Sequence, residues 1–261
     1  MTKETDAGPE VPGYREFEFD LPGALLDHLV RALDEMESAP LDPEGLAIVP
    51  EAQGVYQLFL DDALVYIGKT DAEAGLFRRL VRHSTKTQHR ANLDPARVRF
   101  KAIRIFVFTA MDLETQLIKH YTAGAGTRWN GSGFGANDPG RNRDNSKPGT
   151  FDQDFPINIE HDIGTDLAGT KTAAEVVSEL KTALPYTFRF DTGPGRSRKP
   201  HPDLANTTVT ISSDRTTARG VIEELVSQLP SGWQATALSA VLILYKEKND
   251  KYPQATVLAR S

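Results

Sequence analysis

The period of the apolar positions changes several times along the chain, and each change predicts an element. In residues 22–37, PGALLDHLVRALDEME, the residues Leu25, Leu26, Leu29, Val30 and Leu33 share one helical face. Pro40, Pro43 and Gly45 follow and predict the end of that helix. In GVYQLFLDDALVYIG two apolar runs flank Asp61 and Asp62, the pattern of a β-hairpin. Helical spacing returns over residues 74–87, where Leu76, Phe77, Leu80 and Val81 form an apolar stripe. Residues 98–108, VRFKAIRIFVF, predict a third strand. A helix follows over 109–121, with Thr109 and Asp112 spaced as a capping box. Residues 124–149 are rich in Gly, Asn, Asp and Arg and predict a long loop, a common place for function.

The C-terminal third repeats the alternation on its own. It predicts a helix over 172–184, strands over 186–191 and 207–213, a helix over 215–229 and strand-rich chain over 234–247. Residues 193–203, GPGRSRKPHPD, are basic and rich in Pro and Gly, as a linker would be. The expected organisation is α+β: a flexible tail over 1–13, a first domain over 14–160 with its own N-terminal helix, and a C-terminal α/β domain over 165–261.

Charge sharpens this picture. The net charge is −6, but it is unevenly spread. Residues 1–50 hold 3 basic and 12 acidic side chains, whereas between Arg78 and Arg104 nine Lys or Arg residues accompany one acid, Asp94. Phosphate binding depends on such local density rather than on the total; the same run would also suit a solvated face. The chain has no cysteine, which excludes disulfides, thiolate metal sites and cysteine nucleophiles. No run of about 18 apolar residues occurs, and MTKETDAGPEVPG lacks the apolar core of a secretory signal. A cytoplasmic location is the expectation.

Candidate chemistry lies on the predicted elements. On the helix over 74–87, Arg79 and His83 are one turn apart at an edge of the apolar stripe, while Arg78 and Arg82 face away. On the next helix Glu114 falls inside the stripe formed by Met111, Leu113, Leu117, Ile118 and Tyr121. A carboxylate there costs several kcal/mol unless it is paired or coordinates a metal. A salt bridge to Arg79 is one account, and a single hard cation such as Mg2+ is the other. Tyr56 and Tyr66 share a sheet face only if the hairpin loop has three residues, Asp61 to Ala63, or the ladder carries an equivalent bulge. No HxH, HExxH or GxxxxGK[ST] spacing is present.

Taken in order, Gly54-Val55-Tyr56, Tyr66-Ile67-Gly68-Lys69, Arg79, His83, Glu114 and Asn130 resemble the GIY-YIG nuclease family over about residues 50–145. Val55 stands where the first tripeptide has Ile, and an insertion near 123–127 lengthens the interval from Glu114 to Asn130. The run GFGANDPGRNRD after Asn130 is similar to the family's type II restriction endonucleases. The resemblance implies a small three-stranded antiparallel sheet flanked by helices and an Mg2+-dependent phosphodiesterase acting on double-stranded DNA. It implies Tyr56 as general base, Tyr66 and His83 as its partners, Arg79 on the scissile phosphate, Glu114 as the Mg2+ ligand and Asn130 as an orienting residue. Lys69, Arg78, Arg82, Arg141, Arg143, Arg196, Arg198 and Lys199 become candidate DNA contacts. A short GC-rich palindrome, cut by a homodimer or higher homo-oligomer, is the implied target. A structure-selective repair or homing nuclease and a binding protein without catalysis are the alternatives.

Overall fold

The computed structural model describes residues 12–13, 20–71, 73–106, 112–136, 138, 140–164, 166–195, 197 and 199–261. Most of the expected tail, together with Thr109, Met111, Arg196 and Arg198, lies outside these residues. The architecture is α+β, as the pattern predicts.

The chain enters through α1 (Leu21–Glu35), whose N-terminus is closed by the Asp20 side chain accepting from the Gly23 amide at 2.9 Å. Pro43 and Gly45 do not merely end this helix. Pro43 opens a second, one-turn helix, α2 (Pro43–Leu46), because a proline at the first helical position gives up only an amide that would be unpaired anyway. Between the two helices lies β1 (Ala39–Pro40). The hairpin follows as β2 (Gly54–Leu60) and β3 (Ala63–Thr70), then α3 (Leu76–Thr87), β4 (Val98–Arg104) and α4 (Leu113–Thr122). The sheet order is β1-β4-β2-β3 and every pairing is antiparallel. The expected three strands therefore gain a two-residue fourth at one edge.

The hairpin meets the parity condition by a bulge. Asp61 and Asp62 both have positive φ, 50° and 66°, so the turn has only two residues. That turn pairs Leu60 with Ala63 and Phe59 with Leu64, but the register then shifts and Leu58 pairs with Tyr66 and Tyr56 with Gly68. Val65 is the extra residue. It restores even-with-even pairing and sends Tyr56 and Tyr66 to the same face. On that face Tyr56, Leu58, Val65 and Tyr66 pack with Leu76 and Leu80 of α3 and with Trp129, Phe134 and Phe151. On the other, Val55 and Ile67 pack with Leu29, Leu33, Leu113 and Leu117 of α1 and α4.

Next comes α5 (Thr150–Asp154), whose Phe151 packs in the first core. The C-terminal unit then contains β5 (Gly169–Thr172), α6 (Ala173–Ala183), β6 (Thr187–Phe190), α7 (Pro202–Asn206), β7 (Thr208–Ile211), α8 (Ala218–Ser227), β8 (Gln234–Ala237), β9 (Val241–Tyr245) and β10 (Thr256–Arg260). A four-stranded sheet runs β10-β8-β9-β6, with β6 and β9 parallel, and β5 pairs with β7 in a separate ribbon. Thr172 and Glu175 form a full capping box at the start of α6. Ile157 and Ile159 pack in this unit's core. Residues 193–203 are not a linker: the Gly193 amide donates to the Lys199 carbonyl and Thr192 pairs with Pro200, so the segment folds back on itself between β6 and α7. No helix among the described residues is long and apolar enough to cross a membrane.

Candidate active site

Four of the expected side chains meet on one face of the sheet. Tyr56 Oη lies 2.9 Å from His83 Nε2, and Arg79 Nε–H donates to Tyr56 Oη at 3.4 Å. The Tyr56 and Tyr66 rings stack at 6.0 Å, and His83 sits 5.6 Å and 5.2 Å from them. The stretch of β3 that bears them explains the glycine of its Tyr-Ile-Gly. A Cβ at Gly68 would overlap the Tyr56 hydroxyl and crowd the Tyr66 ring, so only glycine leaves the two phenols side by side. A Cβ at Gly135 would likewise overlap the Tyr66 hydroxyl.

The helix that carries Arg79 and His83 is rotated from the expected orientation. Its buried residues are Leu76, Leu80, His83 and Thr87, while Val81 is exposed. His83 is thus in the middle of the buried stripe, not at its edge, with 1% of its surface exposed. Phe134 causes this: it stacks on the imidazole at 4.7 Å and 11° and closes it off from the far side. Burial, and then the charges of Arg79, Arg82 and Lys86, hold the His83 pKa well below the usual imidazole value. His83 is therefore neutral at neutral pH, and its Nδ1 is buried without a partner. Tyr56 is fully buried, and burial, with Tyr66 next, raises its pKa far above that of a free phenol. Burial lowers the Arg79 pKa, but the Tyr56 hydrogen bond and the neighbouring Tyr56, Tyr66 and Glu114 outweigh it and keep the guanidinium charged.

Glu114 reaches the site from the other layer. The helix α4 begins at Leu113, with Asp112 at its N-cap position, so Glu114 lies in the first turn. It is half-buried rather than enclosed in the apolar stripe. Burial raises its carboxyl pKa, Lys69 lowers it, Asp112 raises it and Arg79 lowers it. The expected ion pair with Arg79 is not made. Among the described residues Glu114 has no ion pair, because Lys69 turns its ammonium to Asp112 at 2.7 Å. The Glu114 charge in turn raises the Tyr66 pKa, after burial. A half-buried carboxylate without an ion pair, close enough to Tyr66 and Arg79 to shift their pKa values, is a suitable donor for one hard cation that keeps most of its waters. No cluster of three or more His, Asp or Glu exists among the described residues.

Asn130 does not touch the phenols. Its Oδ1 accepts from the Ile67 amide at 2.9 Å and its Nδ2 donates to the Ile67 carbonyl at 2.8 Å. Thr127 Oγ1 donates to the same Oδ1. The Trp129 amide donates to Val65 O at 2.8 Å. Residues 127–130 thus continue the sheet beyond its edge strand, and Asn130 fixes the strand that carries Tyr66 and Gly68.

The expected DNA contacts divide. Arg78 is exposed and pairs with Glu51 at 2.7 Å; Lys199 is exposed; Arg82 donates to Ala136 O at 2.7 Å. Arg141 and Arg143 are held in ion pairs, Arg141 at an exposed position and Arg143 at a partly buried one. Arg141 pairs with Asp191 at 2.7 Å and lies 3.8 Å from the Tyr245 ring centroid, and Arg143 pairs with the buried Asp152 at 3.2 Å. Both tie the loop to neighbouring structure, and 55% of the Arg141 side chain stays open to solvent. Sequence reading passed over Phe134, Gly135 and Lys86; the Gly-Phe-Gly run after Asn130 was the only signal of the first two. No protein-family model matches the chain, and no curated protein sequence matches it.

Proposed function

We propose that the chain is an Mg2+-dependent endonuclease of the GIY-YIG type that hydrolyses phosphodiester bonds of double-stranded DNA. The observation that carries the reading is the buried contact of Tyr56 Oη with neutral His83 Nε2, at 2.9 Å, under the Arg79 guanidinium. A phenol with so high a pKa is a poor standing base. It works as a relay: Tyr56 takes a proton from the attacking water while passing its own to His83 Nε2. Arg79 turns from its 3.4 Å contact with Tyr56 to a phosphate oxygen, which exposes the phenol and stabilises the charge that builds on phosphorus-bound oxygen. The new P–O bond forms from water as the P–O3′ bond breaks, leaving a 5′-phosphate and a 3′-oxygen that takes a proton from solvent. Glu114 would hold Mg2+, and the ion would supply electrostatic stabilisation of the charge that develops during the displacement. Asn130 keeps β3, and with it Tyr66 and Gly68, in register with β2.

Restriction cleavage at a short GC-rich palindrome, by a cytoplasmic homodimer or higher homo-oligomer, is the form of this activity that the resemblance favours. The test is incubation of an unmethylated plasmid, a flap and a branched duplex with Mg2+ or with EDTA. Discrete plasmid fragments that require Mg2+ are expected. Cutting confined to the flap or branched duplex would replace restriction with repair, and no cutting of any substrate would overturn the enzyme reading.

A further inference from the structure

A cleft of about 380 Å3 opens where α3 and the loop after Phe134 face the start of β6 and the β8–β9 turn. It is separate from the phenol site: Arg79 and His83 do not line it, whereas Arg82 and Lys86 of the same helix and Arg90 just beyond its end do. Its walls have two characters. One is cationic, and three of its arginines, Arg90, Arg143 and Arg189, are matched by Asp152, Asp144 and Asp138. Lys86 is not matched. Its ammonium donates to the carbonyls of Gly133 at 2.7 Å and Phe134 at 2.6 Å and has no ion pair among the described residues. Burial brings its pKa down to about 8, Asp152 pulls it up, and Arg90, Arg143 and Arg82 add to the fall. The other wall is apolar, with Pro185, Leu238, Val241 and Pro253. Tyr186 lies on that side, 8% exposed, and its hydroxyl is buried without a partner.

We propose that this cleft binds a phosphate-bearing ligand of mononucleotide size. A surplus cation and an orphaned phenol O–H beside matched arginines suit a phosphate group. The apolar wall suits a flat organic body, and the volume is at the small end of the roughly 300–1,000 Å3 range of ligand pockets. Inorganic phosphate alone would leave most of it unfilled. The ligand is either a free nucleotide or a nucleotide of DNA turned out of its stack; the recognition chemistry is the same.

Isothermal titration of the full chain with each of the four deoxynucleoside 5′-monophosphates tests the site directly. Saturable binding is expected for at least one of them, about tenfold weaker for inorganic phosphate and absent for the matching nucleoside. Lys86→Met weakens binding about tenfold, and Tyr186→Phe, which keeps the ring and the packing, weakens it by about threefold. Displacement of a fluorescent mononucleotide by a short duplex assigns the ligand to DNA; retention assigns it to the free nucleotide. Absence of saturable mononucleotide binding, equal binding of the nucleoside, or unchanged affinity in both variants overturns the site. None of these results depends on cleavage, so they leave the nuclease reading to its own test.

Discussion

Around Phe188, Leu225, Trp233 and Leu242, the C-terminal unit buries aliphatic and aromatic side chains; the Trp233 indole N–H finds Asp203 at 3.1 Å, and among the described residues Tyr186 Oη alone of this core's side-chain polar atoms has no partner. Around Tyr56 the N-terminal unit buries an imidazole and two phenols, and Gln57 on the other face of the sheet; among the described residues Gln57 Nε2, His83 Nδ1 and Trp129 Nε1 have no hydrogen-bond partner. An apolar core of the first kind is the cheaper way to hold a fold, since each unpaired buried polar atom costs about 1–3 kcal/mol. The second kind is expected where side chains are placed for chemistry at the expense of stability. Substitutions should therefore separate the two regions: in one they change stability, in the other activity.

The largest effect belongs to the phenol. Tyr56→Phe should lower single-turnover cleavage by about 10²–10⁴-fold, as loss of an acid–base group does, while circular dichroism and DNA affinity stay close to wild type. Wild-type cutting by this variant would reduce the buried polar cluster to packing. In the other core, Leu225→Ala should cost about 2–5 kcal/mol by chemical denaturation, with the activity of the remaining folded protein unchanged; a specific loss of activity would erase the division. Between them stands Gly68→Ala. Its Cβ overlaps the Tyr56 hydroxyl, so stability should fall by about 1–3 kcal/mol and activity should fall with it, by more than the unfolded fraction explains.

A pH series sharpens the comparison with a smaller effect. The folded-state pKa of His83 is depressed, so below the ordinary value of 6.5 the unfolded chain takes up a proton that the folded chain refuses. Stability should be full above that pH and fall by up to about 1.4 kcal/mol per unit as pH drops below it. His89, depressed by burial and His161, adds to the slope. Glu114, raised by burial, opposes it as pH falls towards its own range. Comparing His83→Gln with wild type by urea midpoint from pH 7 to 5 isolates the imidazole: the variant's slope should be shallower, and equal slopes would mean that His83 accepts a proton in the folded state.

Much of the fold was legible because it is written in local period. Helices α3, α6 and α8 and the β2–β3 hairpin follow from spacing alone, and Thr172 with Glu175 caps α6 as such pairs do. The two-residue β1 carries too few residues to show a period. The parity of Tyr56 and Tyr66 could be posed from the sequence but not decided, because the bulge at Val65 is set by packing on both faces of β3. His83 was placed at the rim of its helix because periodicity counts only the helix itself. Phe134, 51 positions later, is what covers it. For Arg141 the difficulty is distance along the chain: its partners Asp191 and Glu247 are 50 and 106 residues away, and charge alone does not distinguish a brace from a phosphate contact.

Glu114 is the residue on which the catalytic account turns, since it is the unpaired carboxylate of the site. Single-turnover cleavage of supercoiled plasmid by Glu114→Ala, over a titration of Mg2+ and beside a DNA-binding assay, is the most direct test. The account predicts that cutting is lost at every Mg2+ concentration while duplex binding persists. Cleavage at the wild-type rate with the wild-type Mg2+ dependence would contradict it.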